Sequence, residues 1–255
     1  MKKVYGIVGT QRSGSNYICS VLRKLDGMGD PREYFSPVHI HEENKRIQAK
    51  EDAITFAKEL LENTANDSYF SFKIHYLQFF ENFLQKGIKL HDAFPNMSVI
   101  FLRRTNVVAQ AISLWKAELT QSWVSSMEAK KDPHYNFEGI RRRYFDLKIH
   151  DLMWEKYLRD EKISYLNIIY EDMEKNESKF FFNILSFIGE SDKFDKIAKP
   201  EMKKQANQQS IEWEKRFRKE YAKIDKDENT KIWKERTKYW DAQCLGDNPN
   251  IWRKF

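Results

Sequence analysis

Residues 4–16, Val4-Tyr5-Gly6-Ile7-Val8-Gly9-Thr10-Gln11-Arg12-Ser13-Gly14-Ser15-Asn16, narrow the fold more than any other stretch. A short apolar run stops at Gly9 and gives way to a small polar loop with another glycine. From Tyr17 to Leu25 the apolar residues Ile18, Val21, Leu22 and Leu25 recur at helical spacing. Strand, glycine loop and helix in that order aim backbone N–H groups and a helix N-terminus at an anion, above all a phosphate. The loop has the Gly-x4-Gly outline of a nucleotide-binding turn. In that motif Lys-Ser/Thr follows the second glycine, the lysine serving the β/γ-phosphates and the hydroxyl serving Mg²⁺. Here Ser15-Asn16 stand in that place and the cation comes earlier, at Arg12. This describes an anion loop not built for a Mg-nucleoside triphosphate. The plainer reading is an ordinary strand-to-helix turn.

The rest of the chain supplies a fold for that loop. At 255 residues it can bury a substantial core. We expect one domain over 1–255, with a mostly helical C-terminal extension from about residue 211. The net charge of +6 favours anionic partners. Because that charge is spread along the chain, nucleic acid is only one of several options. Cys19 falls in the first expected helix and reads as a buried free thiol. Cys19 and Cys244 are too far apart in sequence to suggest a disulfide or metal framework. The chain is expected to enter a strand at once with no signal peptide, and it has no run long enough to span a bilayer. The expectation is a cytoplasmic protein without membrane insertion.

Residues 26–37 form a Gly/Asp/Pro loop carrying Glu33 between Arg32 and the aromatics Tyr34 and Phe35. Glu33 is either a solvated loop carboxylate or a general base behind an aromatic wall that excludes water. His39, His41 and Glu42-Glu43 look like a metal site, but no further ligand completes it, and a polar surface segment is the better reading. A helix is expected from Ala53 to Leu61, a strand over Tyr69–His75 and a short helix from Phe79 to Leu84. Lys73 either reaches a phosphate or sulfate or snorkels outward. Met97–Leu102 is the clearest buried strand and runs into Arg103-Arg104. Thr105 is the expected cap of a helix over Asn106–Leu119, in which Asn106, Gln110 and Ser113 share a polar stripe. Arg104 near that stripe suits a second phosphate; its plainer role is a strand-end charge. Residues 121–137 are irregular, and Trp123 there lines a pocket or packs on the core. A long helix over Gly139–Leu158, a strand over Ile163–Tyr170 and a helix from Glu171 to Ile188 follow. Helices around Trp213–Phe217 and Trp233–Tyr239 end the chain. Alternating strands and helices imply a P-loop-type α/β fold, with a mainly parallel sheet and helices on both faces.

Taken in order, several motifs resemble one family: Thr10-Gln11-Arg12-Ser13-Gly14-Ser15; Pro31-Arg32-Glu33-Tyr34-Phe35; Arg103-Arg104 with Val108–Trp115 and Trp123; and Gln205–Trp213 through Arg218. That family is the bacterial trehalose 2-sulfotransferases, which use 3′-phosphoadenosine-5′-phosphosulfate. The resemblance implies a sulfotransferase-like three-layer fold, no metal requirement, and a homodimer. It implies that Arg12, Ser13, Gly14, Ser15 and Asn16 cradle the 5′-phosphosulfate, with Arg12 also acting in catalysis. Arg104 and Ser113 hold the 3′-phosphate, and Gln205, Gln208 and Ser210 close over the nucleotide. Glu33 is then the base, and Gln11, Tyr34, Phe35, Lys73 and Trp123 join it in meeting a hydroxylated acceptor, a sugar. Residues 36–60 do not match the family's sugar-binding segment, so trehalose itself is not specified. Asn106 and Ala109 stand where some members carry an acid and a hydroxyl, and the tail beyond about residue 225 is not covered.

The chemistry fits these residues independently of the family. A sulfuryl group in transfer carries less negative charge than a phosphoryl group, so a metal clamp is less needed and positioning and electrostatics dominate. A P-loop kinase of a small metabolite is the first alternative, although both of its usual handles are missing. A non-catalytic nucleic-acid module is the second; it would cluster Lys/Arg and aromatics on one face, whereas these arginines sit beside glycines and serines.

Overall fold

The computed structural model describes residues 3–36, 52–63, 68–123, 127–197 and 207–245. In chain order the elements are β1 (Lys3–Gly9), α1 (Ser15–Leu22), α2 (Ala53–Asn63), β2 (Tyr69–His75), α3 (Tyr76–Asn82), α4 (Leu90–Ala93), β3 (Ser98–Arg103), α5 (Val107–Thr120), α6 (Phe137–Asp160), β4 (Tyr165–Ile169), α7 (Tyr170–Lys175), α8 (Glu177–Ile188), α9 (Gln208–Tyr221) and α10 (Lys226–Tyr239). They fall into two compact units. One comprises residues 1–103 and 158–200, the other residues 104–157 and 201–255.

The first unit is built on a parallel sheet in the order β2-β1-β3-β4. Parallel neighbours require crossovers, and the intervening helices supply them. Period-2 alternation sorts the strand residues onto two faces. Tyr5 and Ile7 of β1, Tyr69 of β2, and Ile100 and Leu102 of β3 share a core with Ile18, Val21 and Leu22 of α1 and Phe181, Ile184 and Leu185 of α8. Phe70 and Phe72 point the other way and stack on Phe94, the Phe72 and Phe94 rings only 4.4 Å apart. Phe35 joins that cluster, packing edge-on against Phe56, Phe83 and Phe94. Gly6 makes room for it: a Cβ there would lie 2.5 Å from the Phe72 ring.

In the second unit α5 and α9 pair in antiparallel fashion. Lys116 near the end of α5 donates to Asn207 Oδ1 and Ser210 Oγ at 3.1 Å each, where α9 begins. At the opposite ends Asn106 Nδ2 donates to Glu214 Oε1 at 3.0 Å, and Arg218 donates to Asn106 Oδ1. Asp146 of α6 receives Arg236 Nε at 2.6 Å and Trp240 Nε1 at 2.7 Å, fastening α10.

Three of the boundaries that differ from the sequence expectations have a visible cause. Asn106, not Thr105, caps α5, because its side chain accepts from the Ala109 N–H. The helix expected from Glu171 to Ile188 breaks at Asn176, which ends α7 and caps α8 by accepting from the Lys179 N–H. Helix α3 starts at Tyr76 rather than Phe79, because Gln78 Oε1 accepts the His75 N–H and starts the helix there. No helix among the described residues is long and apolar enough to cross a membrane.

Candidate functional site

The site gathers at the carboxyl edge of the sheet in the first unit, where open parallel α/β sheets bind ligands. β1 and β2 pair in register with Gly9 opposite His75, so the loop after β1 leaves the sheet beside the end of β2. That loop is tightly built. Arg12 and Gly14 both have positive φ, 60° and 91°, which lets the chain turn twice in five residues. A Cβ at Gly14 would lie 2.4 Å from the Tyr170 ring, and one at Gly9 would lie 2.4 Å from the Leu102 carbonyl oxygen. Ser13 is fully buried, and its Oγ has no hydrogen-bond partner among the described residues. A buried hydroxyl without a partner costs about 1–3 kcal/mol. An anion seated in the loop, beside Arg12 and the start of α1, would accept that hydroxyl. The residues present therefore fit a phosphate or phosphosulfate group. Among the described residues no group of three or more His, Cys, Asp or Glu could hold a metal ion.

The second half of the site is a carboxylate beside a lysine and a histidine. The chain carrying Glu33 is stitched to β2 by an Arg32–Phe72 bridge, with the Lys73 N–H donating to the Arg32 carbonyl at 2.9 Å. Alternation along β2 puts Lys73 and His75 on the face that α1 covers. Glu33 Oε1 lies 2.6 Å from Lys73 Nζ and 3.5 Å from His75 Nε2. Its Oε2 accepts from Gln78 Nε2 at 2.6 Å. Lys73 Nζ also donates to Asn16 Oδ1 at the head of α1, tying the carboxylate to the glycine loop. Burial pushes the Glu33 carboxyl up, but His75 and Lys73 outweigh it and hold the group well below the ordinary carboxylate range. Glu33 is therefore a half-buried, paired anion and not a solvated loop charge. Lys73 is buried and paired, not snorkelling outward.

The other expected residues divide. Tyr34 stacks on Phe70, and its hydroxyl donates to the Asp30 carbonyl at 2.8 Å, so it braces the Glu33 loop. Phe35 is buried in the aromatic cluster, where its ring anchors the loop to the core. Gln11 and Arg12 are half-buried in the loop itself. In the second unit Arg104 and Ser113 are half-buried, and Trp123 lies in the segment after α5. Ser210 receives Lys116, while Gln208 donates to Glu212 of its own helix. Gln205 and the His39–Glu43 segment lie outside the described residues. His75 and Gln78 were missed by the sequence reading. The only signal was the Lys73-x-His75 alternation, which places both side chains on one face; Gln78 gave none.

A family model described as Stf0 sulphotransferase matches residues 75–220, more than half of the chain. It begins at His75 and leaves the glycine loop and Glu33 outside the match. The trehalose 2-sulfotransferase of Mycobacterium tuberculosis (strain ATCC 35801 / TMC 107 / Erdman) is 29% identical over 138 residues, 53% of this chain and 51% of its own length. That of Mycolicibacterium smegmatis (strain ATCC 700084 / mc(2)155) is 25% identical over 124 residues, 48% of this chain and 46% of its own. The chain thus spans about half the length of the curated relatives it matches. Among solved structures, mouse sulfotransferase SULT7A1 complexed with PAP is 15% identical, with a TM-score of 0.47, over 97% of this chain and 89% of its own.

Proposed function

The chain belongs to the Stf0 sulphotransferase family, and from that premise we propose that it transfers a sulfuryl group from 3′-phosphoadenosine-5′-phosphosulfate to a hydroxyl of a carbohydrate such as trehalose. The observation that carries this reading is the buried Lys73 bridge, which joins the glycine loop at Asn16 to the carboxylate of Glu33. The donor supplies an activated sulfuryl group on a phosphate leaving oxygen. Arg12, the Ser13 hydroxyl and the loop N–H groups are suited to hold the charge that grows on that phosphate. From the family resemblance, Arg104 and Ser113 are assigned the 3′-phosphate, and Gln205, Gln208 and Ser210 the nucleotide.

The acceptor hydroxyl must lose a proton as its oxygen bonds to sulfur. A carboxylate held as strongly charged as Glu33 is a weak proton acceptor by itself, since a general base works best with a proton affinity near the operating pH. We therefore assign the proton to the Glu33–His75 pair. His75 takes the proton, and the Glu33 carboxylate beside it stabilises the imidazolium that forms. A positioned base of this kind is worth about 10²–10⁴-fold.

Calorimetric titration with adenosine 3′,5′-bisphosphate, against ATP with and without Mg²⁺, tests the donor. Metal-independent binding of the bisphosphate, weakened in Arg104→Ala, is expected. Preference for Mg-ATP would overturn the reading in favour of a kinase. Mass spectrometry of trehalose incubated with enzyme and donor tests the acceptor, with a single added sulfuryl group expected.

A further inference from the structure

We infer that Gln78 is a positioning residue of this site: its side-chain amide fixes which oxygen of Glu33 faces Lys73 and His75. The inference rests on the reading of Glu33 and His75 as the proton-accepting pair.

Gln78 is buried in the first turn of α3. Its Oε1 accepts the backbone N–H of His75 at 3.0 Å, and its Nε2 donates to Glu33 Oε2 at 2.6 Å. A backbone N–H can only donate, so the carbonyl end of the amide must face His75 and the NH₂ end must face Glu33. The amide cannot flip without losing both bonds. The two oxygens of Glu33 are thereby divided, Oε2 to the amide and Oε1 to Lys73 and His75. Without the amide the carboxylate could turn and present both oxygens to Lys73, drawing charge away from His75.

A helix cap alone would need only the Oε1 contact. The second contact, to a half-buried charge paired with Lys73, is what a positioning role requires. One turn on, Asn82 Nδ2 donates to the Phe35 carbonyl at 3.3 Å, so α3 grips the Glu33 loop twice. The charged and titratable groups around Glu33 are Lys73 and His75 from β2, the buried Cys19 thiol from α1, and the Arg23–Asp30–Arg32 cluster at the loop's outer side. Gln78 is the neutral member that orders them.

The test uses the ligand-free chain with ¹³C-labelled Glu and ¹⁵N-labelled His, titrated by NMR as wild type, Gln78→Glu and Gln78→Met. Gln78→Glu keeps an acceptor for the His75 N–H but sets a second carboxyl against Glu33. A carboxyl titration raised by more than about 1 pH unit is expected, together with an upward shift for His75. Gln78→Met removes both bonds at similar volume and is expected to move His75 as well. Folded variants whose Glu33 and His75 titrate as in wild type would overturn the inference. If neither variant folds, the wild-type Gln78 NH₂ protons decide. Slow exchange, lost in Glu33→Gln, is expected; exchange at the rate of a free amide would overturn it. Bisphosphate calorimetry on the same proteins keeps the two readings apart. Moved titrations without bisphosphate binding would sink the sulfuryl-transfer reading, whereas bisphosphate binding with unmoved titrations would sink only the role of Gln78.

Discussion

Glu33→Gln leaves the buried Lys73 without its counter-charge while keeping shape, and its cost can be bounded from the structure. At the 2.6 Å separation from Lys73, the Coulomb attraction is about 6 kcal/mol at an effective dielectric constant of about 20. Part of that offsets desolvation, and breaking a buried pair typically costs about 3–5 kcal/mol. A ceiling follows from lysine itself. Once Lys73 loses its partner it can release its proton, which costs at most about 4.6 kcal/mol at about pH 7 from an ordinary value of about 10.4. We expect a loss of about 3–4.5 kcal/mol in urea unfolding at neutral pH. Adding Lys73→Met to Glu33→Gln should cost less than the sum of the two single changes. A loss below about 1 kcal/mol and additive variants would refute the picture of a desolvated pair.

Other predictions follow from the same structure. Acid should remove Glu33's contribution only slowly: with its carboxyl held low in the fold, that stability is present above the unfolded value of about 4.3 and drains away as pH falls below it, which acid titration of unfolding in wild type and Glu33→Gln would read. Gly14→Ala adds a Cβ where φ is 91° and the Tyr170 ring is 2.4 Å away; a cost of at least about 1–2 kcal/mol and loss of bisphosphate binding are expected, with Tyr170→Ala relieving the clash but not the backbone strain. Burial pushes the Cys19 thiol up to about 11, while Cys244 is exposed; a thiol reagent near neutral pH should modify one cysteine in the native protein and both in denaturant. Asp146→Asn leaves Arg236 without its carboxylate and weakens the Trp240 bond; a loss of about 3–5 kcal/mol and a red shift in tryptophan emission are expected.

Much of the scaffold was legible from local pattern. The Tyr69–His75 strand was read at its observed bounds, and the strand–loop–helix of residues 4–22 stands as expected. The short-range errors came from competition between caps. Asn106 and Asn176 capped helices that hydrophobic periodicity alone would have begun or continued elsewhere. Phe35 looked like part of an aromatic wall for a ligand, but it is spent on the core with Phe56, Phe83 and Phe94.

The sequence by itself determined the parallel α/β scaffold, the glycine loop and the absence of a Walker lysine, because these depend on periodicity and on neighbours a few residues apart. Only the tertiary structure decided the state of the charges. Glu33, Lys73, His75 and Gln78 come from a loop, a strand and a helix start, with some 40 residues of chain between the loop and the rest. Whether Lys73 serves a ligand or a carboxylate, and whether Glu33 is a lone base or the anionic half of a pair, depends on which groups share a dry volume. Electrostatic energy follows distance through space and exclusion of water, and neither is written in the order of residues.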